Sequence, residues 1–338
     1  MNTMYIITGA AGYLGSNVAR RLSERGERIR ALVMPGDPAA RQLPPDIEQV
    51  YGDLLDDAAL TRLFSVPKDT EIIVLHIAGI VTIYPEFNQK VYDVNVTGTK
   101  NILRFCVTHK VKKLVYVSSS SAIPELPNKA CQTEVSSFDT DKVIGFYAKT
   151  KAEATQAVLD AAEDGLDASV VFPTGICGPG DYAFGSMTQV MIDCANEKMP
   201  AGIAGGFNAG DVRDIARGII LCAENGRRGE CYLFGGTDLS IKELFHEVHE
   251  QTGAREIKMM LPLWLAKATV PLYAIYYKMK KRPPIFTDVA LYNLTRNNNY
   301  SRQKAEAELG FTVRPVKETI ADTLTWLRDI GKITYRVR

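Results

Sequence analysis

The sequence predicts a doubly wound α/β fold, a parallel sheet with helices on both faces, followed by a smaller, mostly helical C-terminal lobe. Two observations predict it. Through the first half of the chain, short β-branched runs alternate with amphipathic stretches of helical period. A glycine-rich turn joins the first strand to the first helix. Strand and helix in steady alternation build right-handed crossovers, and those impose parallel strands.

The elements follow in order. Residues 4–7 read as a strand and 15–25 as a helix, with Val18, Ala19 and Leu22 on its apolar face. A second strand spans 28–33, a short helix 58–64, a buried strand 72–75, a helix 95–109 and a strand 113–117. A long helix over 147–162 and a strand over 168–172 complete the alternation. After Pro173 glycine and proline cluster, and a helix at 212–223 with a strand at 230–234 returns to the sheet. The domain reading is therefore residues 1–174 with 209–235 for the sheet domain, and 175–208 with 236–338 for the lobe.

Composition narrows the class. The 338 residues are 46% hydrophobic and 23% charged, enough for a substantial core. Forty basic against thirty-nine acidic residues leave a charge of +1, which offers nucleic acid no cationic surface. Six scattered cysteines contain no Cys-x-x-Cys pair, and the N-terminus reads as a strand rather than a secretory leader. A reducing, cytoplasmic setting with free thiols is expected. His246 and His249 lack the spacing and third ligand of a metal centre, so no metal site is read. The apolar stretch 261–277 is broken by Pro262, Lys267 and Pro271, which favours a core helix over a membrane segment.

Three motifs carry chemistry. In Thr8-Gly9-Ala10-Ala11-Gly12-Tyr13-Leu14-Gly15, Gly9 can bend the chain, Gly12 can admit a pyrophosphate and Gly15 can let the helix pack on the strand. Helix N-terminal amides then face the anion. Leu32-Val33-Met34-Pro35 ends the second strand without the carboxylate that holds a ribose 2′-hydroxyl. Asp37 lies beyond Pro35, and no adjacent arginine offers itself for a 2′-phosphate, although Arg28 and Arg30 are close in sequence; the absent acid leaves the reading as NAD(P) with a lean to NADP. Tyr147 and Lys151 stand one helical turn apart, where an ammonium can favour the phenolate and make tyrosine a proton-transfer group. Ser118-Ser119-Ser120-Ser121 follows a strand at the sheet edge where ligands bind, and one of these hydroxyls can hold a reacting oxygen.

Together these residues resemble the extended branch of the short-chain dehydrogenase/reductase superfamily, a Rossmann-fold family. Gly52-Asp53-Leu54 is similar to the family's adenine segment, and His76-Ile77-Ala78-Gly79 to its cofactor-lining strand end. Asn95-Val96-Thr97-Gly98 is similar to the helix opening whose asparagine supports a proton relay. The resemblance implies catalytic Tyr147, Lys151, Ser119 (Ser120 being second choice) and Asn95. It implies cofactor contacts from Gly9, Ala11, Gly12, Tyr13, Leu14, Asp53, Leu54, Ala78, Gly79, Tyr147, Lys151 and Pro173. Within the branch the chain looks most like the dihydroflavonol-reductase and 3β-hydroxysteroid-dehydrogenase-like group. It departs from it at Met34, where a basic residue is common, and from sugar-nucleotide enzymes at Phe172, Cys177 and Ala122-Ile123-Pro124.

The expected activity is hydride exchange with a carbonyl or secondary alcohol of a fairly apolar small molecule. The alternatives are a nucleotide-sugar epimerase or dehydratase, and a non-catalytic dinucleotide sensor. A homodimer is what the resemblance implies.

Overall fold

The computed structural model describes residues 2–268 and 287–334. Strands β1 (Asn2–Thr8), β2 (Arg28–Val33), β3 (Glu48–Tyr51), β4 (Thr70–His76), β5 (Lys113–Val117), β6 (Ala168–Pro173) and β10 (Cys231–Phe234) form one parallel sheet. Their order is β10-β6-β5-β4-β1-β2-β3. The strand order reverses between β1 and β4, and a crevice opens beyond the carboxyl ends of strands at such a point.

Side chains alternate across the pleat, so each strand serves two cores. Met4, Ile6, Ile72, Val74, Leu114 and Tyr116 face α2 (Asp57–Phe64), α4 (Gly98–Thr108) and α5 (Phe146–Glu163). Tyr5, Ile7, Ile73, Leu75, Val115 and Val117 face α1 (Tyr13–Glu24) and α7 (Val212–Asn225). A sheet covered on both faces needs apolar residues at consecutive positions, and this is why the strands read as continuous runs.

The structure departs from the sequence reading in four places. The helix expected from residue 95 starts earlier, as α3 (Gln89–Tyr92), passes through a π turn (Asp93–Thr97) and continues as α4. Strand β3 was not read from sequence, because among its residues only Val50 is buried and no apolar run marks it. The lobe is less purely helical than expected. It holds β7 (Gly175–Cys177), β8 (Gly202–Ile203), β9 (Gly206–Asp211), β11 (Thr237–Ser240) and β12 (Met260–Leu261), paired as β11-β9-β7 and β12-β8. Fourth, the stretch 261–277 opens with Leu261 in strand β12 and turns helical as expected over 263–268; residues 269–277 lie outside the described residues. No helix among the described residues is long and apolar enough to cross a membrane.

The lobe's helices are α6 (Ser186–Ala195), α8 (Ile241–Thr252), α9 (Asp288–Thr295), α10 (Gln303–Leu309) and α11 (Val316–Asp329). A third core joins α6, α8 and α11, while α10 packs on the α7 face of the sheet. Asp211 ties lobe to sheet: it caps α7 through Arg213 N at 2.8 Å, accepts Thr319 Oγ1 at 2.8 Å and pairs with the Arg213 guanidinium. These donors hold its carboxyl below the usual range against the opposing effect of burial.

Phe64 is fully buried, its ring 5.4 Å from that of Phe105 and 5.3 Å from His109. Phe64→Ala should cost about 3–5 kcal/mol in urea denaturation, through lost transfer energy plus a cavity; a loss under about 1 kcal/mol would show that this end of the sheet repacks.

Candidate active site

The turn after β1 is built for close backbone approach. Gly9 has φ 74°, and a Cβ there would sit 2.7 Å from Ala78 N. A Cβ on Gly15 would lie 2.0 Å from the Gly9 carbonyl oxygen. Gly12 precedes α1 and offers no capping side chain, so the first amides of that helix are free for an anion. Tyr13 donates from its hydroxyl to Gly178 O at 2.6 Å, tying the helix start to the segment after β7.

The turn opens on a cavity of about 570 Å³ at the ends of β1, β4, β5 and β6. Gly9, Gly12, Tyr13, Leu14, Ala78, Gly79, Ser119, Ser120, Tyr147, Lys151 and Pro173 all line it. An adjoining hollow of about 120 Å³ is lined by Ala11, Asp53 and Leu54 together with Leu32 and Met34, and shares Gly9, Gly12 and Ala78. The glycine cradle fits a dinucleotide, whose nicotinamide end Tyr147 and Lys151 would hold and whose adenine end Asp53 and Leu54 would hold. Asn95 does not line either cavity. It is 1% exposed, accepts Ile80 N at 2.8 Å, and donates to Ile80 O and Thr150 Oγ1, each at 3.0 Å.

Among the serines, Ser118 is turned inward onto Thr155 Oγ1 at 2.7 Å. Ser119 sits in extended backbone, with its Oγ accepting Ser121 N at 3.2 Å and lying beside the Tyr147 phenol. Ser120 is buried in the following short helical turn. The local geometry therefore favours Ser119 as the hydroxyl that reaches a substrate oxygen.

The Tyr147–Lys151 pair behaves differently from the sequence expectation. Lys151 Nζ donates to Val117 O at 2.7 Å and to the Tyr116 hydroxyl at 3.2 Å, and stands 4.7 Å over the Tyr116 ring. Burial lowers its pKa to about 7. Burial also pushes the Tyr147 phenol up to about 12, with the Ser119 hydroxyl pulling it partly back. Desolvation opposes both charged forms, so the ammonium does not yield a phenolate here.

Sequence reasoning missed the support beneath this pair. His76 shares hydrogen bonds with Thr8 Oγ1 at 2.6 Å and Thr99 Oγ1 at 2.9 Å, and burial, then the Lys151 charge, lowers it to about 3. Its ring stands 5.5 Å from that of Tyr116. The resemblance drew attention to His76, but nothing in the spacing marks Tyr116 or Thr99.

At the adenine end, Arg28 bonds Asn2, while Arg30 pairs with Glu48 at 2.8 Å and donates to Ser65 O at 2.7 Å. Both are spent away from the hollow. Arg41 was not singled out from sequence, yet with Gly36, Asp37 and Tyr51 it lines a shallow hollow that shares Asp37 with the adenine pocket. His246 meets Glu256 and His249 meets Ala254 O; no group of three could hold a metal ion among the described residues.

The model of the NAD dependent epimerase/dehydratase family matches residues 5–235. Over 337 residues the chain is 29% identical to sterol demethylase protein B of Methylococcus capsulatus, covering 97% of this chain and 99% of that protein. It is 28% identical to a putative dihydroflavonol 4-reductase of Synechocystis, covering 98% and 97%. Among solved structures, the crystal structure of gox2253 superposes with a TM-score of 0.85 at 30% identity, covering 98% of this chain and all of that one. A nucleoside-diphosphate-sugar epimerase from Pseudomonas aeruginosa shares the fold, with a TM-score of 0.77 at 21% identity over 99% and 100%.

Gly15→Ala drives a methyl into the Gly9 carbonyl, and overpacking of that kind costs about 1–3 kcal/mol. Cofactor affinity should fall about tenfold or more in a fluorescence titration; an unchanged Kd would mean the turn does not bind the dinucleotide.

Proposed function

The chain belongs to the NAD dependent epimerase/dehydratase family, and from that premise we propose that it is an NAD(P)-dependent oxidoreductase. Its reaction is reduction of a carbonyl, or oxidation of a secondary alcohol, on a fairly apolar small molecule. One observation carries the reading: Ser119, Tyr147 and Lys151 line the same cavity as the glycine turn. Val81, Ile176, Met187 and Phe207 on that cavity's walls support an apolar substrate body. Reductase and hydroxysteroid-dehydrogenase names among the relatives support the reaction class.

The bound nicotinamide would supply or accept hydride. Tyr147 donates its phenolic proton to the carbonyl oxygen as the alcohol forms, and Ser119 hydrogen-bonds that oxygen. Lys151 holds the ribose hydroxyls and, while cationic, stabilises the phenolate left behind. Asn95 acts from behind, through Ile80 and Thr150, to set the cavity floor and support a water-mediated relay. The nucleotide domain of this reading is residues 1–174 with 209–235, and the substrate lobe 175–208 with 236–338. NADP is favoured over NAD, because β2 ends without a carboxylate at Met34 and the Arg41 guanidinium, which lines the neighbouring hollow, pairs with no described carboxylate. A cytoplasmic homodimer is the setting this reading implies.

Tyr147→Phe should lower turnover by about 10²–10⁴-fold and leave cofactor affinity nearly intact. Unchanged turnover removes Tyr147 from the mechanism. Because Lys151 is cationic only below its pKa of about 7, kcat/KM for reduction should fall as pH rises through 7. A flat profile from pH 6 to 9 contradicts that role. Arg41→Ala should reduce the ratio of NADPH to NADH efficiency about tenfold; a wild type that prefers NADH overturns the cofactor assignment.

A further inference from the structure

The cavity carries one cationic side chain that the proposed chemistry leaves unused. Arg296, just past the end of α9, lines the same cavity as Ser119, Tyr147 and Lys151. Its protein contacts are sparse. One terminal nitrogen donates to Ile123 O at 3.4 Å, the guanidinium lies 5.7 Å from the Tyr292 ring centre, and the buried Nε has no acceptor. It forms no ion pair with any described carboxylate. Glu125, which is near enough to be felt electrostatically at Tyr292 along with Arg296, is engaged otherwise: Oε2 accepts the Tyr292 hydroxyl at 2.5 Å and Oε1 accepts Asn297 N at 2.8 Å.

Asn293 supplies a second, independent observation. It precedes Arg296 by one turn of α9, lines the same cavity, and makes no side-chain hydrogen bond with any described residue. A guanidinium that lines a partly enclosed site without an ion-pair partner costs desolvation energy unless an anion meets its terminal nitrogens. The acceptor that fits a planar fork of donors is a carboxylate or phosphate, and a neighbouring amide adds one more donor.

We propose that Arg296 and Asn293 form an anion subsite for the substrate, so that the molecule reduced carries a carboxylate or phosphate beside its apolar body. The inference rests on the oxidoreductase reading above and specifies its substrate class. Arg296 reaches toward Ile123, four residues beyond Ser119, and the charged group would therefore bind on the serine side of the reacting carbon.

Matched probes test it on the cofactor-loaded protein. Benzoylformate is compared with its methyl ester, and dihydroxyacetone phosphate with dihydroxyacetone, in wild type, Arg296→Met and Arg296→Lys. The wild type should favour one charged member over its neutral partner by about tenfold or more in kcat/KM. Arg296→Met should bring that ratio near one, and Arg296→Lys should restore part of it. The pair that shows the preference tells carboxylate from phosphate. A merely structural arginine would lower charged and neutral probes alike, leaving the ratio intact, and that result overturns the proposal. Calorimetric titration with the same pairs covers probes that bind without turning over; equal binding of both members, or of neither, also overturns it. Failure of the underlying reading looks different, as turnover of the neutral probes that survives Tyr147→Phe.

Discussion

Lys151 is held at the base of the crevice by the Val117 carbonyl and the Tyr116 hydroxyl, in a setting whose burial lowers its pKa to about 7. The rest of the centre is arranged around this buried amine. Tyr116 comes from β5 and faces the helix layer, which places an aromatic ring and a hydroxyl beneath the amine. Thr99 and Thr8 hydrogen-bond both nitrogens of His76 nearby, while burial and then the Lys151 charge hold that histidine neutral, so it adds no second positive charge. The same burial raises the Tyr147 phenol, against the partial pull of Ser119.

Topology explains why these groups meet. Strand order reverses between β1 and β4, so the loops leaving those two strands diverge and open a crevice. The glycine turn fills one side and the Ala78–Gly79 segment the other, at distances no side chain at Gly9 would permit. The π turn at Asp93–Thr97 then presents Asn95 to both Ile80 and Thr150, joining the strand end to the helix that bears Tyr147. A widened turn at this position suits a residue that must bridge two elements.

The lobe adds what the sheet lacks. Helix α9 brings Asn293 and Arg296 over the crevice, and Asn297 bonds through its amide to Ala130 O at 2.7 Å, so this wall is fastened to the sheet domain's own loops. The Asp211 cluster fastens α11 to α7 in the same manner.

Sequence alone determined the alternation of strands and helices, the glycine turn, and the Tyr147–Lys151 and Ser119 candidates. Each of these is a local pattern, set by period, by a missing Cβ or by spacing along one helix face. Strand β3 escaped because an edge strand with one buried residue leaves no periodic trace. The protonation state of the pair, the partnering of Lys151 with Tyr116, and the meeting of Arg41 or Arg296 with the crevice were decided by tertiary structure. Desolvation and unpaired charge are properties of a three-dimensional neighbourhood, and residues as far apart as Lys151 and Tyr116 (35 positions) or Arg296 and Ile123 (173 positions) create that neighbourhood only when the sheet closes.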